Sequence, residues 1–224
     1  MSVPLQNNWD FGIGPEYAMR YTVNVQPVIP FSLSADWLLL TRTILPIIYA
    51  ESPVPGGGTK AGLGDILQSF FVAPKELAGG WIIGAGPVFL YPSATDSAIG
   101  AEKWGAGPTA VLFQQKEGWT YGILANHVWS FAGPGNRQDV NATFLQPVVS
   151  YTTKTYTTLG LNTESTYDWE NSQWTVPITL AVSQLLKIGK LPISLGLGGR
   201  YYAEKPAGGP DWGLRFVVTL LFPK

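Results

Sequence analysis

Apolar and polar positions alternate along most of this chain. Successive side chains of a β-strand point to opposite faces, so a period of two marks strands with two different surroundings. Met19, Tyr21, Val23, Val25, Pro27, Ile29 and Phe31 oppose Arg20, Thr22, Asn24 and Gln26. Asn162, Glu164, Thr166 and Asp168 oppose Leu159, Leu161, Tyr167 and Trp169, and Trp174, Val176, Ile178, Leu180 and Val182 oppose Thr175, Thr179, Ala181 and Ser183. The clearest stretch, Trp104 to Ala132, reads as two strands joined by a polar turn at Gln115–Gly118. On its second strand Trp119, Tyr121, Ile123, Ala125, His127, Trp129 and Phe131 share one face, with aromatics at both ends. From Trp119 to Trp129 a strand rises roughly 33 Å. Tilted by about 40°, that is a height of roughly 25 Å, the apolar band of a membrane barrel between its aromatic girdles.

The same pattern predicts twelve strands: 3–14, 19–31, 37–49, 63–73, 81–91, 104–114, 119–132, 140–151, 157–169, 174–186, 191–203 and 212–222. The phase of 63–73 is not fixed by its residues. Connections after the odd-numbered strands are mostly longer and rich in Gly and Pro, and Ala50–Gly62 reads as the longest. The others, Lys187–Lys190 among them, are short. Outer-membrane barrels show this asymmetry, with short periplasmic turns, longer outer loops and periplasmic termini. The expected fold is all-β, a closed antiparallel transmembrane β-barrel of about 12 strands forming one domain over residues 1–224. Closure also answers the energetics, because an open sheet edge in lipid leaves backbone groups unpaired at several kcal/mol each. The soluble alternatives are a β-sandwich, a lipocalin or a jelly roll, which predict a polar outer face on every strand. The strands starting at Trp37, Trp81 and Trp104 lack one.

Composition sharpens this. Charged residues are 13% of the chain, against about 25% in soluble domains. No stretch approaches the ~18 apolar residues of a spanning helix, and the run Ile44–Ala50 contains Pro46. The net charge of −1 and the lack of a basic cluster give no sign of nucleic-acid binding. Cysteine is absent, which excludes disulfides, a cysteine nucleophile and a thiolate metal site. The start at Met1 shows no charged and apolar leader. The expectation is a mature outer-membrane protein, its signal peptide absent from this chain.

His127 is the only histidine. It raises the possibility of a lipid-modifying barrel enzyme, where a Ser hydroxyl must lie within hydrogen-bond reach of the His base. Ser130 is three residues on and falls on the other face, so His127 reads better as an interfacial residue. A single His without Cys also argues against a transition-metal site. No catalytic residue, metal or cofactor is expected. Arg20, Arg42, Glu164, Asp168, Arg200 and Arg215 fall mostly opposite the apolar stripe and are the lumen-lining candidates. Buried charges in a membrane zone face a cavity or one another, so they fit either a selectivity lining or an internal network that plugs the barrel. Trp81, Trp104, Trp119, Tyr121, Trp129, Trp174, Trp212 and Phe222 are the girdle candidates. Gly84, Gly86, Gly105, Gly107, Gly196 and Gly198 point inward and widen the lumen or let strands bend. The end, from Asp211 through Trp-Gly-Leu-Arg-Phe to Phe222, resembles the signal read by the barrel-assembly machinery, displaced by Pro223-Lys224.

The segments QNNWDFGIGP (6–15), EKWGAGPTAV (102–111), GILANHVWSFAG (122–133), FLQPVVSYTTK (144–154), LNTESTYDW (161–169) and DWGLRFVVTLLFPK (211–224) together resemble transporter-like bacterial outer-membrane proteins of the phenol-degradation-pathway (MetA-type) barrel family. The likeness runs over nearly the whole chain. It implies an outer-membrane barrel for passive uptake of small compounds, aromatic or apolar ones among them, and it carries no catalytic or ligand residues. The expected function is a monomeric channel or transporter-like porin. A closed structural barrel with a packed lumen and, less favoured, a lipid-modifying enzyme are the alternatives. Expected partners are the lipid bilayer and lipopolysaccharide, the barrel-assembly machinery during biogenesis, and a small solute of unknown identity.

Overall fold

The computed structural model describes residues 1–189 and 191–222. Lys190 of the expected Lys187–Lys190 turn, and Pro223-Lys224 at the end of the expected assembly signal, lie outside the described residues. Twelve strands form one sheet: β1 Ser2–Ile13; β2 Ala18–Val25 with Val28–Ser32; β3 Trp37–Ala50; β4 Lys60–Leu63 with Ile66–Pro74; β5 Trp81–Tyr91; β6 Trp104–Lys116; β7 Trp119–Ala132; β8 Asn141–Thr152; β9 Thr157–Thr163 with Ser165–Asp168; β10 Gln173–Ile188; β11 Leu191–Glu204; and β12 Trp212–Leu221. Each pairs antiparallel with the next in sequence, and β12 returns to β1 over Ser2↔Leu221 to Phe11↔Trp212. The sheet is thereby a closed barrel without an edge. The termini complete the seam: Met1 donates to the Phe222 carbonyl at 3.1 Å, and Phe222 N–H donates to the Met1 carbonyl at 2.9 Å.

Three strands are written in two parts where the ladder pauses; the register is unbroken in β2 and β9 and slips by one residue in β4, from Ile47↔Leu63 to Ile44↔Leu67. On β9, Asn162 faces Val148 and Ser165 faces Leu145 along one unbroken register. Thr163↔Ile178 and Thr166↔Thr175 set Glu164 opposite Pro177, and proline has no N–H to give the ladder. A shift also occurs in β1 between Asp10 and Ile13. Gly12 takes φ +79° there, and the bulge brings Ile13 onto the wall of the cavity that Asn8 and Asp10 line. Strict alternation places Ile13 with Trp9 and Phe11. The bulge overturns that placement, since one extra residue reverses the facing of the residues after it.

One end of the barrel carries the loops 14–17, 51–59, 92–103, 133–140, 169–172 and 205–211; the other carries the short turns and both termini. The longest connection is 92–103, not Ala50–Gly62. Lys60–Leu63 continues the ladder against Ile47–Ala50 and shortens that loop. The same segment explains why the phase of 63–73 is illegible in the sequence: Gly64 and Asp65 interrupt the strand between its two paired parts.

The interior is divided. Along β4–β7 it is mostly apolar, with Phe71, Ala73, Val88, Leu124 and Val128 buried beside the few polar residues Ser69, Thr109 and Asn126. This explains strands with no polar face. Val88, for example, faces inward onto packed apolar side chains while Phe89 faces out. The inner wall from β9 round through β12 and β1 to β2 carries most of the polar and charged side chains, and Arg42 is the one charge on the otherwise apolar inner face of β3.

A repeat lies in the apolar half. Gly-Ala-Gly-Pro occurs at 84–87 on β5 and at 105–108 on β6, and the two copies pair with each other through Pro87↔Pro108. The ladders on their far sides pause at the same level, between Ser69↔Val88 and Val72↔Ala85 on one flank and between Ala106↔Trp129 and Thr109↔Asn126 on the other. With the proline N–H groups missing, the neighbouring carbonyls move in. A Cβ on Gly86 would collide with the Phe70 carbonyl oxygen, and one on Gly107 would collide with that of His127. Only glycine accommodates that approach.

Candidate functional site

The polar half of the lumen is crossed by a belt of side chains from β1, β2, β3, β9, β11 and β12. Strand parity aims them all inward, and the closed sheet brings residues as distant in sequence as Asn8 and Arg215 to one level. Asn8 on β1 is the hub. Its Oδ1 accepts from Arg200 Nη2 at 3.0 Å and from Arg215 Nε at 2.8 Å. Arg215 forms a fork to Glu164, with Nη1 to Oε1 at 2.9 Å and Nη2 to Oε2 at 2.6 Å. Arg200 Nη2 also reaches Glu164 Oε2 at 3.3 Å. Asp10 Oδ1 accepts from Arg200 Nη1 at 3.1 Å and from the Tyr202 hydroxyl at 2.7 Å, while its Oδ2 lies 3.5 Å from Arg20. Planar guanidinium forks match carboxylates in this way, and such charge-assisted bonds are the strong ones.

Next to this cluster, Arg42 Nη2 donates to Gln26 Oε1 at 2.8 Å, Gln26 Nε2 donates to Gln6 Oε1 at 3.2 Å, and Gln6 Nε2 points back to Asn8 Oδ1 at 3.4 Å. Arg20, Arg42, Glu164, Arg200 and Arg215 thus meet in one network. Asp168 stands apart. Its carboxylate caps the 169–172 turn, accepting from Glu170 N–H at 2.9 Å, Asn171 N–H at 3.2 Å and Asn171 Nδ2 at 2.7 Å, at the rim of a mouth cavity. The network also holds members that alternation alone does not single out: Asn8, Asp10, Gln26 and Tyr202. Asp10 and Tyr202 are nearly buried, and a buried carboxylate needs such a partner.

Cavities lie on both sides of the belt. A space of about 540 Å³ on the loop side is lined by Asn8, Asp10, Arg20, Thr22, Glu164, Arg200 and Tyr202, with 206–210 as its roof. A space of about 250 Å³ on the turn side is lined by Gln6, Asn162, Thr179, Ser183, Ser194, Arg215 and Thr219. Thr179 Oγ1 and Arg200 Nε are buried without a protein partner.

On the outer wall, His127 Nδ1 lies 2.7 Å from Thr143 Oγ1, which also accepts from Trp169 Nε1 at 2.8 Å, and the ring packs 4.0 Å from that of Trp129. Ser130 is engaged elsewhere, with Asp139 and Val140 N–H. The aromatics Trp104, Trp129, Trp174 and Trp212 are exposed on the outer face near the loop end, and Trp81, Trp119, Tyr121 and Phe222 near the turn end. The outer loops are stapled to the barrel. Lys103 pairs with Asp139 at 2.8 Å, and Arg137 pairs with Glu102 at 2.9 Å while also donating to the Ser97 and Gly100 carbonyls. The Lys103 ammonium and the Ser130 hydroxyl hold the Asp139 carboxyl below the usual carboxylate range. Among the described residues no group of three or more His, Asp or Glu is placed to hold a metal.

Solved structures of similar architecture include outer-membrane channels. The COG4313 outer membrane channel from Pseudomonas putida F1 superposes with a TM-score of 0.75 at 14% identity, covering 99% of this chain and 94% of that one. This chain has that barrel fold. The NanC porin follows at a TM-score of 0.61 and 10% identity, covering 99% of this chain and 100% of its own, and the KdgM porin at 0.54 and 9%, covering 100% of both. No protein-family model and no curated protein matches the sequence.

Proposed function

We propose that the protein is an outer-membrane channel for small solutes, with its long loops outside and its termini in the periplasm. The observation that carries this reading is the pair of cavities, of about 540 and 250 Å³ and lined by polar and apolar side chains together, meeting at the charged belt on one side of a closed barrel. A purely structural barrel has no need of open space on both sides of a charged belt when the other half of its interior is packed. Fold kinship with channels and porins supports it. The resemblance of the sequence to the phenol-degradation-pathway barrels supports uptake of small compounds, aromatic ones included, at the belt. No catalysis is assigned to His127, whose ring partner is a threonine already bonded to an indole. In planar lipid bilayers the purified protein is expected to give discrete conductance steps, and liposomes carrying it should swell in small permeant solutes. A protein that inserts but shows neither is a closed structural barrel.

A further inference from the structure

The belt is not electrically balanced. It brings four guanidiniums, Arg20, Arg42, Arg200 and Arg215, to two carboxylates, Asp10 and Glu164. Asp10 is taken by Arg200 and, more distantly, by Arg20; Glu164 is taken by Arg215 and Arg200. Arg42 is left with an amide. Among the described residues no carboxylate lies within ion-pair distance of it, and its bond is to Gln26 at 2.8 Å. A cation inside a barrel wall with no counter-charge is costly unless an anion or water attends it. Its neighbours are neutral amides, Gln26 donating to Gln6 Oε1 at 3.2 Å and Gln6 to Asn8 Oδ1 at 3.4 Å, and they bring no counter-charge to it.

We propose that the lumen selects for small anions over cations, with Arg42 as the residue that draws them in. This rests on the channel reading and deepens it. The anion is drawn to the Arg42 guanidinium, the one arginine of the belt with no carboxylate in ion-pair contact among the described residues. Arg200 and Arg215 contribute to the positive field but keep their own carboxylates.

The test is the reversal potential of single channels under a potassium chloride gradient, repeated with potassium acetate. Wild type is expected to favour the anion roughly three- to tenfold. R42Q should bring the ratio to unity or below, and R42K should keep it. Heat-modifiable mobility on gels shows whether each variant is a folded barrel. If R42Q fails to fold, the wild-type and R42K potentials in the two salts decide. Current without anion preference, or an R42Q ratio equal to wild type, overturns this proposal and leaves the channel standing. Absence of current in wild type overturns the channel reading and the proposal with it.

Discussion

Glu164 illustrates what a single side chain does in this barrel. Its two oxygens neutralise Arg215 through a bidentate pair and reach Arg200 as well. Its backbone lies where Pro177 leaves the ladder short of a donor. Glu164→Gln keeps the shape but removes the charge, leaving two inward guanidiniums with only Asp10 between them. Breaking one member of a buried pair costs about 3 kcal/mol, and E164Q is expected to lower the urea midpoint of unfolding from lipid vesicles accordingly. Removing a negative charge also increases the net positive charge of the lumen, so the same variant should raise anion preference in bilayers. A stable E164Q channel with unchanged selectivity would show that the belt does not set the lumen potential. Alternation is enough to place Arg42, Glu164, Arg200 and Arg215 on the inner face. It cannot show their partners, because Asn8 and Arg215 are 207 residues apart and meet only through barrel closure. Asn8, Gln26 and Tyr202 carry no charge and look like any other inward polar residue, so nothing in the local pattern marks them.

At the level of elements, strands are legible almost residue by residue wherever one face meets lipid and the other meets polar lumen. Legibility fails where both faces are apolar, as in β4, and where a bulge breaks parity, as at Gly12. The Gly-Ala-Gly-Pro repeat belongs to this scale, since it has meaning only when β5 and β6 are seen paired. Gly107→Ala would drive a Cβ into the His127 carbonyl. The backbone of β7 must then shift within a packed interior, at about 3 kcal/mol. Gly199→Ala meets nothing within 4 Å and should leave stability within about 0.5 kcal/mol of wild type. Equal unfolding midpoints for the two variants would refute the close approach at the repeat. The loop staple makes a pH prediction. Asp139, held below the usual range by Lys103 and Ser130, contributes stability that is fully present above the unfolded value of about 3.9. That contribution is lost as pH falls through the lower folded value. Protection from hydrogen exchange in 133–140, measured against the intrinsic rate at each pH, should therefore hold at neutral pH and fall only in strong acid. D139N should show the lower protection at neutral pH and match wild type in strong acid.

For the whole molecule, the belt and the seam are one problem. β1 and β12 are the ends of the chain, joined by their ladder and by the clasp between Met1 and Phe222. Asn8 and Asp10 on β1 are further tied to Arg215 on β12 and Arg200 on β11. The same bonds that close the barrel also bridge the space between its two cavities. Stability and permeability should therefore trade against each other in this protein. D10N and R200Q each remove one side of the Asp10–Arg200 bond, and residues in one network couple by about 0.5–3 kcal/mol rather than adding. The double variant is expected to unfold at a midpoint close to that of the worse single variant. Its unit conductance should exceed that of wild type, because the bridge between the cavities is gone. If stability falls with conductance unchanged, the belt closes the barrel but is not its constriction, and the path must run elsewhere. If conductance rises with stability unchanged, the seam is held by its backbone ladder alone. Only movement of both together fits a barrel whose closing contacts lie in its permeation path.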